Sequence, residues 1–465
     1  MAETAAADVA VPGARSDGPP PSADATGAHR DTARDDLALE SLGDRIRRLR
    51  VARGLTQQQI VGSRYTRAFL GAVESGARAP SPEALAYFAD RLGLPVDDLR
   101  YGRPANASAQ LAAELATARR DLSAGRLDAA ERVLTGTRGR AERYRLSELA
   151  GWAGYHLAEA HLHRGLTEEA AARYDELADE LSEGSPALRA AVLARQAYCL
   201  LVTGDAPRAV AILEGGLRAL RAAPPVDPDA ELRLTNALMY TFLELSWRDR
   251  ARRLEREVTP LLARVTNGEW VAQFHAIAGQ LRRDGELDEA DRHLREAGRG
   301  YTELGLTREV ALCHWARGYV LLRAGRPGEA ATELRRAREM LGAVGAVLDH
   351  AGATLELAEA RRREGALTEA GELAEEAARA AAASDHREIM AEADRVRGLV
   401  RAAQGDGDQA RRLLLRAVDR YERAGLMGDV VITCRHLAEL LLARAERAEA
   451  AAVLRRGLRA AERLS

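Results

Sequence analysis

Glycine recurs at positions 125, 165, 204, 285, 325, 365 and 405, and alanine stands five residues after each, at 130, 170, 209, 290, 330, 370 and 410. A period close to 40 residues, held over most of the chain, confines it to a repeat architecture before any other feature is weighed. The two gaps in the series close if Ser246 with Ala251, and Ala445 with Ala450, take the same places, which makes nine units. Seven residues before each turn position stand Ala118, Ala158, Ala197, Met239, Ala278, Gly318, Ala358, Gly398 and Ala438. All but Met239 are small enough for two helices to touch. Each unit therefore reads as a helix, a tight turn at the Gly, and a second helix whose early Ala lets it approach the first. A single hairpin of this kind cannot bury both faces. Stacked hairpins share a core, expected here at Leu134, Leu213, Leu294, Leu334, Leu414 and Leu454, nine places beyond the turn residue. The Pro-rich stretch from Pro224 to Pro228 precedes the fourth unit, which also carries Met239 and Ser246, so altered packing is expected there.

Composition agrees with helices. Of 465 residues 46% are hydrophobic but only 4% aromatic, and Ala, Leu, Arg and Glu dominate, a mixture that favours helix over sheet. The formal charge of -2 is unevenly distributed. Residues 1–38 carry three Arg against seven acids, and residues 39–103 carry eleven against seven, so the one basic excess is local. Cys199, Cys313 and Cys434 lie far apart without a metal-ligand spacing, which disfavours disulfides and zinc and predicts no metal or other cofactor. No apolar run reaches the ~18 residues a membrane span needs, and the N-terminus lacks a secretion signal. A cytoplasmic protein without a membrane partner is the expectation.

Ahead of the repeats the pattern is different. Residues 1–38, rich in Ala, Gly, Pro, Asp and Ser, read as a disordered tail. Ser41 is a helix N-cap followed by Leu42, Ile46 and Leu49 on one face and by Gly54 as a stop. Thr56 caps a second helix, Thr66 a third, and Ser81 with Pro82 and Glu83 a fourth that runs to Gly93; Pro95 opens a last turn through Leu99.

The segment from Leu42 to Leu99 resembles the Cro and lambda-repressor type of helix-turn-helix domain, the xenobiotic-response-element family. The resemblance rests on Leu42-Gly43 with Ile46-Arg47, on Gly54-Leu55-Thr56-Gln57 leading into the second helix, and on Thr66-Arg67-Ala68-Phe69-Leu70 opening the third. Val73-Glu74-Ser75-Gly76 and Arg78-Ala79-Pro80-Ser81-Pro82-Glu83-Ala84-Leu85 complete it. The connector from Val61 to Tyr65 is one residue shorter than the common form. The repeats resemble tetratricopeptide repeats with a unit longer than the usual ~34 residues. Together the two resemble bacterial signal-sensing regulators, and imply a dimeric, cytoplasmic DNA-binding protein. The expected fold is all-α: a small five-helix bundle at residues 39–103, then an α-solenoid of about nine 40-residue hairpins at 107–465.

The resemblance points the start of the third helix at the major groove, where base edges distinguish all four pairs. Arg67 is then the main group for base readout, with Ala68 and Ala72 offering small apolar contact to a thymine methyl. Gln57, Arg64, Thr66 and Arg78 take phosphate positions, which set register without carrying sequence information. In the tetratricopeptide register, residues ten and six before the turn line the concave groove. Units two to six supply Tyr155 and Glu159, Ala194 and Tyr198, Asn236 and Tyr240, His275 and Gly279, and Trp315 and Tyr319, with Trp152 one turn before Tyr155. Trp152, Tyr155, Tyr198, Tyr240, Trp315 and Tyr319, with Asn236 and His275 as polar anchors, have the mixed character of a ligand site. The same rings would equally serve as packing between repeats.

The scattered histidines lack a nucleophile or carboxylate partner at catalytic spacing, and no phosphate-binding glycine motif appears, so no enzyme is expected. The reading is a transcriptional regulator that binds double-stranded DNA and senses a peptide, a small molecule or a partner protein in the repeat groove. It is expected to form a homodimer through its repeats, with Leu437, Leu441, Leu454 and Leu458 of the last unit as the contact. The competing class is a repeat adaptor that docks another protein and uses the helix-turn-helix for assembly.

Overall fold

The computed structural model describes residues 40–462 apart from 105, 182–184, 283–284 and 384–386, so the tail expected at 1–38 lies outside the described residues. Among the described residues the chain is helical and has no strand. Its contacts divide it into two units, residues 40–116 with 133–153 and residues 117–132 with 154–462.

In the first unit five short helices follow one another: α1 (Leu42–Ala52), α2 (Gln57–Val61), α3 (Arg67–Glu74), α4 (Pro82–Arg91) and α5 (Val96–Tyr101). Four of them start at a hydroxyl that accepts a backbone N–H three residues on. Ser41 accepts from Asp44, Thr56 from Gln59 in a reciprocal capping box, Thr66 from Phe69 and Ser81 from Ala84. The apolar faces converge on Ile46, Ile60, Leu70, Leu85, Phe88 and Leu99, all buried. Each such side chain contributes roughly 1.5–3 kcal/mol when fully buried. Gly43 lets α1 touch α3, since a Cβ there would stand 2.2 Å from the Val73 carbonyl oxygen. After α5, Arg103 donates from Nε to the Tyr144 carbonyl at 2.5 Å and from Nη2 to that of Arg145 at 3.2 Å.

The repeats begin with α6 (Ala107–Ser123), α7 (Leu127–Arg143), α8 (Ser147–His163), α9 (Thr167–Glu180), α10 (Pro186–Val202) and α11 (Ala206–Arg221). The middle hairpins are α12 (Pro228–Glu244), α13 (Arg248–Val258), α14 (Gly268–Arg282), α15 (Leu287–Leu304), α16 (Thr307–Arg323) and α17 (Pro327–Ala343). The last are α18 (Val347–Arg363), α19 (Leu367–Ala383), α20 (Arg387–Ala403), α21 (Gly407–Arg423), α22 (Met427–Ala443) and α23 (Arg447–Ala461). These are nine hairpins among the described residues, each turning at the position the 40-residue period marks. Ser246 and Ala445, which stand in for glycine, keep the left-handed turn with φ 61° and 64°. A second left-handed turn, unmarked by the Gly-Ala pattern, joins one hairpin to the next at Arg145, Gly305, Gly345 and Gly425.

Within a hairpin the first helix lies against the second through its small residue. A Cβ on Gly318 would stand 2.4 Å from Leu334 Cγ, and one on Gly398 2.8 Å from Leu414 Cγ. In the fifth hairpin Gly279, not Ala278, faces Leu294, at 2.7 Å, so α14 is advanced by one residue relative to its neighbours. Leu134, Leu213, Leu294, Leu334 and Leu414 are buried as expected. Leu454 is not: it stands 48% exposed, because among the described residues no further hairpin packs on α23. Leu437 and Leu441, expected at a dimer contact, are interior. In the fourth unit the second helix stops at Val258 and continues as a 3₁₀ turn, Thr259–Arg264, because Pro260 has no N–H to extend the α ladder.

The end of α6 also meets helices far along the chain. Arg119 Nη2 lies 2.6 Å from both Glu269 and Glu309, and Ser123 donates its hydroxyl to Glu309. Burial alone would raise the Glu309 carboxyl, but Arg119 and Ser123 outweigh it and hold that group at about 2.

Left-handed backbone costs an L-residue about 1–2 kcal/mol, and glycine escapes that cost. Ala445→Gly is therefore expected to add about 1 kcal/mol of stability and so raise the urea midpoint, while Ala445→Val lowers it. An unchanged midpoint in both would show that the turn conformation is not maintained in solution.

Candidate functional site

In the first unit the third helix presents Arg67 and Ala68 to solvent at its first turn, with Ala72 half-buried one turn on. The cap that starts this helix uses the Thr66 hydroxyl oxygen, which accepts from the Phe69 N–H at 3.1 Å. Two exposed arginines flank α3 and are each laid on an aromatic ring. Arg64 sits over Tyr87 with its guanidinium carbon 5.6 Å from the ring centre, and Arg78 over Phe69 at 5.1 Å. Those rings are themselves fixed. Tyr65 stacks on Phe69 with centroids 5.3 Å apart, and Tyr87 donates its hydroxyl to the Val61 carbonyl at 3.2 Å. The four positively charged or polar groups expected at phosphates thus split: Arg64 and Arg78 are exposed, Thr66 is tied into a cap, and Gln57 is half-buried.

Gln57 has a structural partner that its sequence position conceals. Its Nε2 donates to Glu74 Oε2 at 2.9 Å, beside a bidentate pair in which Arg50 Nε and Nη2 donate to the same carboxylate at 2.6 and 3.0 Å. Burial would raise the Glu74 carboxyl, but the bonds from Arg50 and Gln57 prevail and hold it below the ordinary carboxylate value. Glu74, near the end of α3, joins α1 and the start of α2 to the helix that carries Arg67.

In the repeats the structure joins some of the expected groove residues and separates others. Tyr155, only 5% exposed, receives a long hydrogen bond from Arg195 Nε at 3.4 Å; Arg195 pairs with Glu159 at 2.5 Å and lies over the Tyr198 ring at 5.6 Å. Tyr198 and Tyr240, both half-buried, have centroids 6.3 Å apart. Tyr155, Tyr198 and Tyr240 therefore form a continuous ladder over three hairpins, with Arg195 as the rung that sequence reasoning missed. Burial would raise the Glu159 carboxyl, yet Arg195 and His156 keep it well below the usual range. A basic residue one place beyond the expected groove position is the signal that could have found Arg195.

The others sit apart. Asn236 is fully buried, with Nδ2 donating to the Trp270 carbonyl at 2.8 Å, so it serves the contact between α12 and α14. His275 faces its own hairpin partner: its Nδ1 lies 3.0 Å from that of His293, as the one-residue advance of α14 requires. Burial lowers both imidazoles, and with Arg282 nearby it takes His293 down to about 4. Trp315 packs against the next hairpin, where a Cβ on Gly352 would meet its ring at 2.5 Å. Tyr319 is half-buried on the same helix. Trp152 falls in the other contact unit and donates from its indole to Glu148 at 2.8 Å.

Residues 41–101 match the family model described as a helix-turn-helix domain. That stretch is a helix-turn-helix domain. By sequence, the chain matches no curated protein. The fold is shared with solved structures at low identity. The crystal structure of a Rap protein complexed with competence and sporulation factor aligns with a TM-score of 0.54 at 14% identity, covering 77% of this chain and 99% of that one. The apo form of the quorum sensor NprR from B. thuringiensis aligns at 0.53 and 12% identity, over 76% and 99%. A signal-transduction ATPase with a tetratricopeptide repeat sensor from Pyrococcus horikoshii aligns at 0.52 and 13%, over 94% of this chain and 66% of that one. The chain is thus a helix-turn-helix domain followed by a tetratricopeptide-like solenoid. Among the described residues no helix is long and apolar enough to cross a membrane.

The carboxylate under the helix-turn-helix domain gives a direct test. Glu74→Ala leaves the Arg50 guanidinium and the Gln57 amide without their acceptor in a buried place, and is expected to cost about 3 kcal/mol of the domain's stability. Chemical denaturation followed by near-UV signal from Tyr65 and Tyr87 checks this. A loss below about 0.5 kcal/mol, the size seen at ordinary surface sites, would show that the pair is dispensable.

Proposed function

We propose that the chain is a DNA-binding transcriptional regulator whose helix-turn-helix domain, residues 39–103, contacts duplex DNA and whose repeats, residues 107–465, sense an effector and dimerise. The observation that carries this reading is the pairing of a helix-turn-helix match at 41–101 with an exposed Arg67 at the start of α3, flanked by Arg64 and Arg78 held on rings. A guanidinium already immobilised loses less side-chain freedom on meeting a phosphate than one free in solvent. Few atoms near Arg67 reach base edges, because its neighbours on that face are Ala68 and Ala72, so shape and deformability of the site carry a large share of the recognition. Gln57 contributes by fixing the domain through Glu74, and Thr66 by starting the helix.

For the repeats, the supporting facts are the fold shared with a Rap protein complexed with competence and sporulation factor and with the quorum sensor NprR. The effector is a peptide or an aromatic small molecule bound along the Tyr155, Tyr198 and Tyr240 ladder, with Trp315 and Tyr319 on a neighbouring hairpin. Homodimerisation uses the apolar surface of the last hairpin, where Leu442, Leu454 and Leu458 are 52%, 48% and 62% exposed.

Duplex DNA binding with a salt slope tests the first half. Arg67→Ala is expected to cost roughly 1–3 kcal/mol and to relax preference at one base position, while Arg64→Ala and Arg78→Ala weaken all sequences alike and each lower the slope by about one. Binding without salt dependence, or none at all, would favour the adaptor class. The second half predicts that Tyr240→Ala weakens the effector's influence on DNA binding by ~1 kcal/mol or more and leaves unliganded DNA affinity unchanged. A variant that melts earlier yet responds normally while folded would make the ring a packing residue.

A further inference from the structure

Among the described residues, the least exposed charged side chains follow a rule with one exception. Among the described residues, Glu74, Glu159, Glu255, Asp291, Glu359 and Asp394 are the buried carboxylates, and each meets an arginine nitrogen at 2.5 to 2.8 Å. The one buried base among the described residues is Arg233 on α12, 4% exposed, and none of their carboxylates lies within ion-pair distance of it. Its Nη1 donates to the neutral Oε1 of Gln273 on α14 at 3.2 Å, and its Nε has no hydrogen-bond partner. Three residues on, Asn236 Nδ2 approaches the same Gln273 oxygen at 3.4 Å, while its own Oδ1 is buried and unpaired. One amide oxygen therefore serves two donors, one of them cationic. A guanidinium held this deep without an anion is strongly disfavoured, and an array that neutralises its other buried charges has left this one open.

We propose that Arg233 is the anchor for an oxyanion of the effector, which takes the place now held by Gln273 Oε1. The proposal rests on the reading of the repeats as a sensor and deepens it by naming the ligand's charged group. Gln273 is half-buried at the end of a flexible stem, so it is able to swing aside and admit the oxygen. A guanidinium presents its donors as a planar fork that fits a carboxylate or a phosphate in two parallel bonds. Tyr240 stands one helical turn beyond Asn236 on α12 and pairs with Tyr198, which puts an aromatic wall on the same helix as the anchor. A ligand joining a carboxylate to an aromatic ring, as at the end of a peptide, suits both.

Three probes on the full chain separate the possibilities: N-acetyltyrosine, its uncharged amide, and inorganic phosphate, each followed by thermal shift and calorimetry. The expected result is a raised Tm with N-acetyltyrosine and none with the amide. Stabilisation by phosphate alone would instead assign the oxyanion to a phosphorylated ligand. Two variants then locate the effect. Arg233→Met removes the unpaired cation and Gln273→Glu supplies it with a carboxylate in place; both are expected to raise the Tm of the ligand-free protein and to abolish the probe response. No response from wild type to either anion, or a response that survives in both variants, overturns the proposal. A lower Tm for Gln273→Glu also overturns it, because a lone cation would welcome that charge. Failure of the sensor reading looks different: the wild type would take the anion through Arg233 while no component of a cell's small-molecule and peptide pool altered DNA binding.

Discussion

The close approach of the two helices in each hairpin is the constraint on which the repeats depend. At Gly318 and Gly398 the space that a Cβ would occupy is filled by Leu334 and Leu414, so the leucine nine places past the turn packs directly onto backbone. Alanine at the same position elsewhere, as at Ala118, Ala158, Ala358 and Ala438, is likewise buried. Close approach is what makes a core with few aromatics dense enough, since small side chains bury little area each and must gain dispersion from many short contacts. It also fixes the direction in which the rest of the first helix points. Where the small residue moves by one place, as at Gly279, the whole helix is re-aimed, and His275 turns from the expected groove toward His293.

A second consequence concerns charge. With so much of the packing surface made of alanine, long arginine stems complete the contacts between hairpins and carry their partly exposed charged heads to the carboxylates enclosed there. Each carboxylate so enclosed is met at short range, as Asp394 is by Arg416 and Arg420. Paired groups of this kind add little net stability over an apolar equivalent, but breaking one is costly, so they specify which surfaces meet. Arg119 has that role on the longest scale. Its bonds to Glu269 and Glu309 span 150 and 190 residues and tie the end of α6 to the starts of α14 and α16.

The helix-turn-helix domain uses the opposite arrangement on its exposed side. Its interior fixes α3 with one carboxylate and a ring cluster, and the outward cations are left unpaired but braced, Arg64 by Tyr87 and Arg78 by Phe69. A small domain with a five-residue second helix has little area with which to hold its third helix in place. The Arg50, Gln57 and Glu74 group supplies the missing rigidity, which explains why a glutamine at the head of the second helix is occupied inside the domain.

How much of this was legible in the sequence depended on the range of the interaction. The caps at Ser41, Thr56, Thr66 and Ser81, the nine hairpins and the left-handed turns at Ser246 and Ala445 are all set by residues within a few places of one another, and spacing alone revealed them. The second set of turns was missed because Arg145 carries no glycine signal and the hairpin junctions lack the following alanine. Groove positions were only partly legible. The register names a face of each first helix, but the rotation of about 100° that one displaced residue brings sends His275 elsewhere, and the same face also packs on the next hairpin, as Trp315 does on Gly352. Charge pairing was illegible for a different reason. Arg195 and Glu159 sit 36 places apart, close to one period, so their meeting follows from stacking. The absence of an acid near Arg233 leaves no mark in the sequence at all, since arginines and acids are almost equally numerous throughout the repeats. Only three-dimensional proximity distinguishes a neutralised guanidinium from a lone one, and that distinction separates a structural charge from one kept for a ligand.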